Sequence, residues 1–95
     1  IIEPPVAIQS IASKDNFTVY PNPATTQLQI VSELYFPSAI ISVYNASGKL
    51  VMQQQNVGLN INVPYTLLLN QLSAGIYYLE INTSNKKSVQ KFIKS

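Results

Sequence analysis

"AIISVYNASGKLVMQQQ", residues 39–55, is the stretch that decides the fold. Ala39 to Tyr44 and Lys49 to Gln54 are two runs of strand character, separated by Asn45-Ala46-Ser47-Gly48. Asparagine and glycine accept the left-handed backbone that a tight hairpin loop needs, and the surrounding Ile, Val and Tyr favour a pleated surface. The stretch therefore reads as a β-hairpin with Gly48 in its loop. A chain whose clearest local unit is an antiparallel pair is expected to be built from more of them.

Upstream, "NFTVY" (16–20) is a short β-type run that Pro21 ends, and "TQLQIVS" (26–32) alternates, with Leu28 and Ile30 on one face and Gln27 and Gln29 on the other. Between them stands Pro21-Asn22-Pro23. Proline has no N–H to give a ladder and pushes the preceding residue toward an extended conformation. Tyr20 and Asn22 should both be extended, with the ladder interrupted while the chain crosses from one strand to the next.

Downstream, "VGLNINV" (57–63) sets Leu59, Ile61 and Val63 against Asn60 and Asn62 until Pro64, which predicts a fifth strand. "YTLLLNQLSAG" (65–75) fits a helical turn or a strand, but it is short for a stable helix before Gly75, so a strand followed by a turn is expected. "GIYYLEINTS" (75–84) places Tyr77, Leu79 and Ile81 on one face and Tyr78 and Glu80 on the other. In "SVQKFIKS" (88–95), Val89 and Ile93 share a side with Lys91 while Phe92 points opposite. Either both faces are partly covered there, or a bulge shifts the register. About seven short strands spaced roughly ten residues apart, with no convincing helix, predict an all-β, immunoglobulin-like antiparallel β-sandwich.

The 95 residues fit one domain. Residues 1–15, with a Pro-Pro pair and no sustained period, read as a linker containing a short strand around Val6 to Ile8, and residues 16–95 as the domain. The start at Ile1 instead of Met leads to the expectation of a portion of a longer protein, its remainder upstream and its natural C-terminus at Ser95. No signal-peptide pattern and no apolar run long enough to span a membrane is present, so direct membrane insertion is not expected.

Charged residues make up only 11% of the chain, far below the usual quarter, and the net charge of +2 comes from six lysines without arginine. Arginine is the residue that reads phosphates and bases in bidentate fashion, so nucleic acid is not an expected partner. Cysteine is absent, which removes disulfides, thiolate nucleophiles and cysteine-based metal sites. Histidine is absent too, and with it the commonest general base and metal ligand. Of the carboxylates, Glu3 and Asp15 fall in the linker, and Glu33 and Glu80 lie on different strands, so no paired-carboxylate site is expected.

Two Ser-x-x-Lys spacings occur, Ser84/Lys87 and Ser88/Lys91, but that catalytic motif needs a helix and here falls on a hairpin and a strand. The three glycines form no phosphate loop. These observations predict no enzyme activity and no cofactor. Six tyrosines could build a stacking platform; strand packing accounts for them more simply, with Tyr44 and Tyr78 outward and Tyr77 inward. Sequons at Asn16, Asn45 and Asn82 are expected by chance in so Asn-, Ser- and Thr-rich a chain. Lys86, Lys87, Lys91 and Lys94 crowd the last ten residues. They read either as solvated lysines protecting a sheet edge or as part of a recognition tag.

Taken together, "VYPNPATTQLQI", "ISVYNASGKLV", "LSAGIYYLEI" and the terminal "KFIK" resemble, in order and spacing, the type A C-terminal sorting domain of the type IX (Por) secretion system of Bacteroidota, over Asn16 to Ser95. Pro21, Asn22 and Pro23 match the family's Pro-Asn-Pro, Gly48 and Lys49 its glycine followed by a basic residue, Gly75 and Tyr77 its Gly-x-Tyr, and Lys91, Phe92 and Lys94 its terminal signature. The family often has an acidic residue in the hairpin turn and before its Leu-x-x-Gly motif; here Asn45 and the run Leu67 to Leu69 occupy those regions.

The resemblance implies a domain at the end of an upstream cargo in the same chain, passing through the periplasm and recognised by the outer-membrane translocon. It further implies removal by a sortase-type protease that cuts in the preceding linker, with the cargo then anchored at the cell surface or released. Two other readings compete with it: a carbohydrate- or protein-binding adhesion module, and a structural cap on an upstream enzyme. Exposed sheet edges also leave homodimer formation open.

Overall fold

A computed structural model describes residues 16–95. The linker and the short strand expected at Val6 to Ile8 lie outside the described residues. Seven strands follow in order: β1 (Phe17–Tyr20), β2 (Gln27–Ser32), β3 (Phe36–Asn45), β4 (Leu50–Leu59), β5 (Tyr65–Leu68), β6 (Gly75–Asn82) and β7 (Lys87–Lys94). One sheet has the order β1-β2-β5 and the other β4-β3-β6-β7, with every neighbouring pair antiparallel. The all-β sandwich expected from the sequence is the fold found.

Alternation decides which face of each strand is buried. Leu28 and Ile30 of β2, Ile41 and Val43 of β3, and Tyr77, Leu79 and Ile81 of β6 all point into one core with Phe17, Leu59, Leu67 and Phe92. Leu28 and Ile30 are fully buried between the sheets. Phe17 of one sheet packs on Phe36 of the other with ring centroids 5.6 Å apart, within the range where aromatic pairs add to simple burial. Gln90 of β7 donates from its side chain to the Phe17 carbonyl at 3.1 Å, joining the sheets at one side.

The separate fifth strand expected over residues 57–63 does not form. Val57 and Leu59 are buried, but as the end of β4, which continues past Asn56 through a shift in register. Asn56 takes a left-handed conformation (φ 57°) that asparagine tolerates better than most residues. The alternation beyond Leu59 is misleading because Asn62 is also left-handed (φ 58°) and donates its N–H to the Ser32 carbonyl at 2.8 Å, while Ile61 and Val63 stay more than half exposed. Residues 60–64 turn the chain from one sheet to the other. The next segment is a strand followed by a turn, as expected, with Leu72 N–H closing on the Leu69 carbonyl at 2.9 Å.

β7 resolves the ambiguity of "SVQKFIKS" differently from either expectation. It pairs with β6 residue for residue from Asn82↔Lys87 to Gly75↔Lys94, with no register shift. Ser88 and Phe92 face the core, and Val89, Lys91 and Ile93 face solvent. The apolar residues fall on both faces because the outer face of this sheet is itself partly apolar.

The register also sorts the loops into two ends. Asn45 lies opposite Tyr77, Gly75 opposite Lys94, and Ala24 is bridged to Lys94, so the crossing 21–24, the hairpin turn 45–49 and the end of β7 share one end. At the other end Phe17 lies opposite Ser32, Phe36 opposite Leu59 and Asn82 opposite Lys87, and the Asn16 carbonyl accepts from Glu33 N–H at 2.9 Å. Asn16, the first described residue, therefore lies at the end opposite Pro21-Asn22-Pro23.

Candidate recognition site

Pro21-Asn22-Pro23 interrupts the ladder as the sequence predicts, and the segment then attaches itself to β7. Both the Tyr20–Pro21 and Asn22–Pro23 peptide bonds are cis. The Asn22 side chain accepts from Ile93 N–H at 3.0 Å through Oδ1, and its Nδ2 donates to the Lys91 carbonyl at 3.5 Å. A side-chain amide thus takes the place a peptide unit of a neighbouring strand would have. One residue beyond Pro23, Ala24 N–H donates to the Ile93 carbonyl at 2.8 Å, and Ser95 N–H donates to the Ala24 carbonyl at 2.8 Å. Ser95 Oγ donates to the same carbonyl at 3.2 Å.

β7 is an edge strand of its sheet, and an unpaired edge exposes backbone groups to any other strand. Residues 22–24 cover the Lys91–Ser95 part of that edge. Ala24 itself is fully buried. Its role was not visible in the sequence; the available signal was a small apolar residue directly after Pro-x-Pro, where a larger side chain would meet the end of β7.

Gly75 opens β6 opposite Lys94, and Tyr77 lies opposite Phe92. Their rings stack at 5.7 Å with an interplanar angle of 24°, Phe92 is 1% exposed, and the Tyr77 hydroxyl donates to the Ser73 carbonyl at 2.7 Å. The buried phenol is thereby satisfied, as a buried polar group must be. Gly48 has φ +88°, the left-handed backbone that the hairpin loop requires of it. Asn45 Oδ1 accepts from Ser47 N–H at 3.1 Å, Ser47 Oγ at 2.8 Å and Lys49 N–H at 2.9 Å. An acidic side chain in this turn would accept the same bonds, so the amide oxygen of Asn45 fills that place here.

Asn22, about seventy residues upstream, thus meets Lys91 and Ile93, while Lys91 to Lys94 pair with Gly75 to Tyr78 of the preceding strand. Gly48 and Lys49 lie at the same end of the four-stranded sheet, in the turn that follows Asn45. The motif residues divide by exposure. Tyr77 and Phe92 are buried, whereas Pro21, Asn22, Pro23, Gly48, Lys49 and Lys91 are exposed and Lys94 is half-buried.

The other candidates are not assembled. Of the two Ser-x-x-Lys spacings, Ser88 faces the core and Lys91 faces solvent, so that pair sits on opposite faces of one strand, and Lys87 of the other is engaged by Glu80. Glu80 pairs with Lys87 at 3.1 Å and accepts from the Tyr44 hydroxyl at 3.2 Å. Tyr44 and Tyr78 face outward side by side and Tyr77 inward, as expected. Among the described residues, no three acidic, histidine or cysteine side chains cluster as a metal site. An open cleft of about 480 Å³ lies beside β4 and β5, lined by Met52, Tyr65, Leu67 and Leu68 and otherwise by uncharged polar residues.

Asn22→Ala is expected to remove the two side-chain bonds that hold the crossing to β7 and to cost about 0.5–1.5 kcal/mol for each bond of ordinary strength. The loss should appear as a lower urea midpoint with an unchanged slope, together with faster amide exchange at Ile93. Unchanged exchange at Ile93 would contradict the contact.

Residues 18–95 match the family described as the secretion system C-terminal sorting domain. No curated protein matches the chain. Among solved structures, the chain is similar to PorZ, described as an essential bacterial surface component of the type-IX secretion system of Porphyromonas gingivalis. The TM-score is 0.64 at 17% identity, over 88% of this chain and 12% of that one. At that identity the likeness is one of fold, and this chain spans a small part of that protein. With the family matched from the first strand through Ser95, over the segments that meet at one end of the sandwich, this chain belongs to the secretion system C-terminal sorting domain family.

Proposed function

We propose that this chain is the non-catalytic sorting domain of a longer polypeptide, directing an upstream cargo through the type IX outer-membrane translocon. Passage through the periplasm comes first. A sortase-type protease then cuts within residues 1–15, and the cargo is anchored at the surface or released. The observation that carries this reading is the meeting of Asn22, Gly75, Tyr77 and Lys91 to Lys94 at one end of the sandwich, opposite the end where Asn16 lies. A translocon could engage that end while cargo extends from the other. The whole sequence has neither histidine nor cysteine, the usual general base and thiolate nucleophile, which supports reading the chain as a substrate of the machinery. A second copy would pair along an exposed sheet edge.

The test is a fusion of residues 1–95 behind a signal peptide and a fluorescent reporter, expressed in a bacterium with a type IX system and in the same strain lacking the translocon. Reporter outside the cell only where the translocon is present, and lighter by about this domain, is the expected result. Reporter held in the periplasm of both strains would overturn the sorting reading and favour a binding module; export without the mass loss would overturn the cleavage step alone.

A further inference from the structure

The signature residues Tyr77 and Phe92 are buried, so a partner that meets the folded domain cannot touch them. Alternation along a strand places their immediate neighbours on the outer face of the four-stranded sheet. There Ile76 lies opposite Ile93, and in the next row Lys91, Tyr78, Tyr44 and Leu50 lie side by side across all four strands. Ile76, Ile93 and Leu50 are 43%, 42% and 44% exposed, an apolar surface on the outside of a sheet where polar residues are the norm.

Charge on this face is one-sided. Lys91 stands within the patch, Lys49 adjoins Leu50 at its margin, and Lys94 is at the same end. Among the described residues the carboxylate side chains are Glu33, at the opposite end, and Glu80, which is engaged by Lys87 and Tyr44. An apolar centre with lysines, and with no free carboxylate side chain among the described residues beside it, is complementary to an apolar surface bordered by Asp and Glu. Phosphate-rich partners fit less well, because the isoleucines would have nothing to meet and the lysines lack arginine's bidentate geometry.

We propose that the outer face formed by Ile76, Tyr78, Ile93 and Leu50, with Lys49 and Lys91, is the surface through which the folded domain docks on an acidic-bordered apolar patch of a protein of the export machinery. This rests on the sorting reading and specifies the chemistry of the partner. In it, Tyr77 and Phe92 hold β6 and β7 in register, and their outward neighbours make the contact.

The test uses the reporter fusion of residues 1–95 with I76T/I93T, which keeps β-branched side chains and strand propensity while removing the apolar surface. L68T, at a residue 60% exposed on the three-stranded sheet, is the control. The exported fraction should fall about tenfold or more with I76T/I93T, the size of loss seen when a central interface side chain is truncated, and should not change with L68T. The isolated I76T/I93T chain should melt within a few degrees of the parent, since surface changes rarely shift stability by more than about 0.5 kcal/mol. Should it unfold instead, K49E/K91E decides: export should fall to a similar extent, while the lysine-to-arginine pair retains it.

Full export of a folded I76T/I93T or of K49E/K91E would overturn the docking face and leave the sorting reading standing. No export of the parent fusion would overturn both. A parent dimer, or parent binding to anionic phospholipid vesicles, that is lost in I76T/I93T with export intact would overturn it in favour of a second copy or a lipid surface.

Discussion

Phe92→Ala is expected to destabilise the domain by about 3–5 kcal/mol, the range for removing a fully buried aromatic side chain. The ring is 1% exposed, stacks on Tyr77 at 5.7 Å and sits on the edge strand β7, where few neighbours can move to close the gap. A domain of this size has a total stability of only about 4–12 kcal/mol at the usual 0.05–0.15 kcal/mol per residue. The variant should therefore populate the unfolded chain measurably at 37 °C. Urea unfolding followed by far-UV circular dichroism checks this: a lower midpoint at unchanged slope is expected, with a smaller loss for Phe92→Leu, which keeps part of the apolar volume. A loss below about 1 kcal/mol for Phe92→Ala would mean that the ring is not packed in the core, because surface changes fall in that range.

Deleting Lys91–Ser95 should have a larger effect, because it removes packing, pairing and the anchor of the crossing at once. Phe92 goes; so do the β6 pairings of Lys91, Ile93 and Lys94, and the groups on β7 that hold Asn22 and Ala24. Ala24, Tyr77 and the backbone of residues 75–78 then face water on a side that was covered. The truncated chain is expected to lose cooperative unfolding and the reporter fusion to remain in the periplasm. Loss of export here does not separate a missing signal from a missing fold. The K49E/K91E pair does, since its side chains are exposed and it leaves the core intact. A truncated chain that kept a cooperative transition near that of the parent would show that the crossing does not depend on β7.

Two residue patterns illustrate what could be read without coordinates. The alternation of Leu28 and Ile30 against Gln27 and Gln29, and of Tyr77, Leu79 and Ile81 against Tyr78 and Glu80, assigns both strand and buried face, because a period of two has only one arrangement that keeps the apolar side dry. The same rule failed at Ile61 and Val63. Their alternation is as regular, yet left-handed backbone at Asn62 and its bond to the Ser32 carbonyl make a turn of it, and that carbonyl belongs to a strand thirty residues upstream.

Local chemistry was legible in the sequence and long-range pairing was not. The hairpin around Gly48, the break at Pro21-Asn22-Pro23, the two-sheet all-β class and the lack of histidine and cysteine follow from backbone preferences and residue inventory, which act over a few neighbouring positions. Three features needed the tertiary structure. Asn22 fills the edge of β7, Ala24 is buried beside Lys94, and Ile76 and Ile93 meet on an outer face that no core covers. Each depends on which strand lies beside which, and hydrogen bonds between residues about seventy positions apart form only once the whole chain has closed around its core.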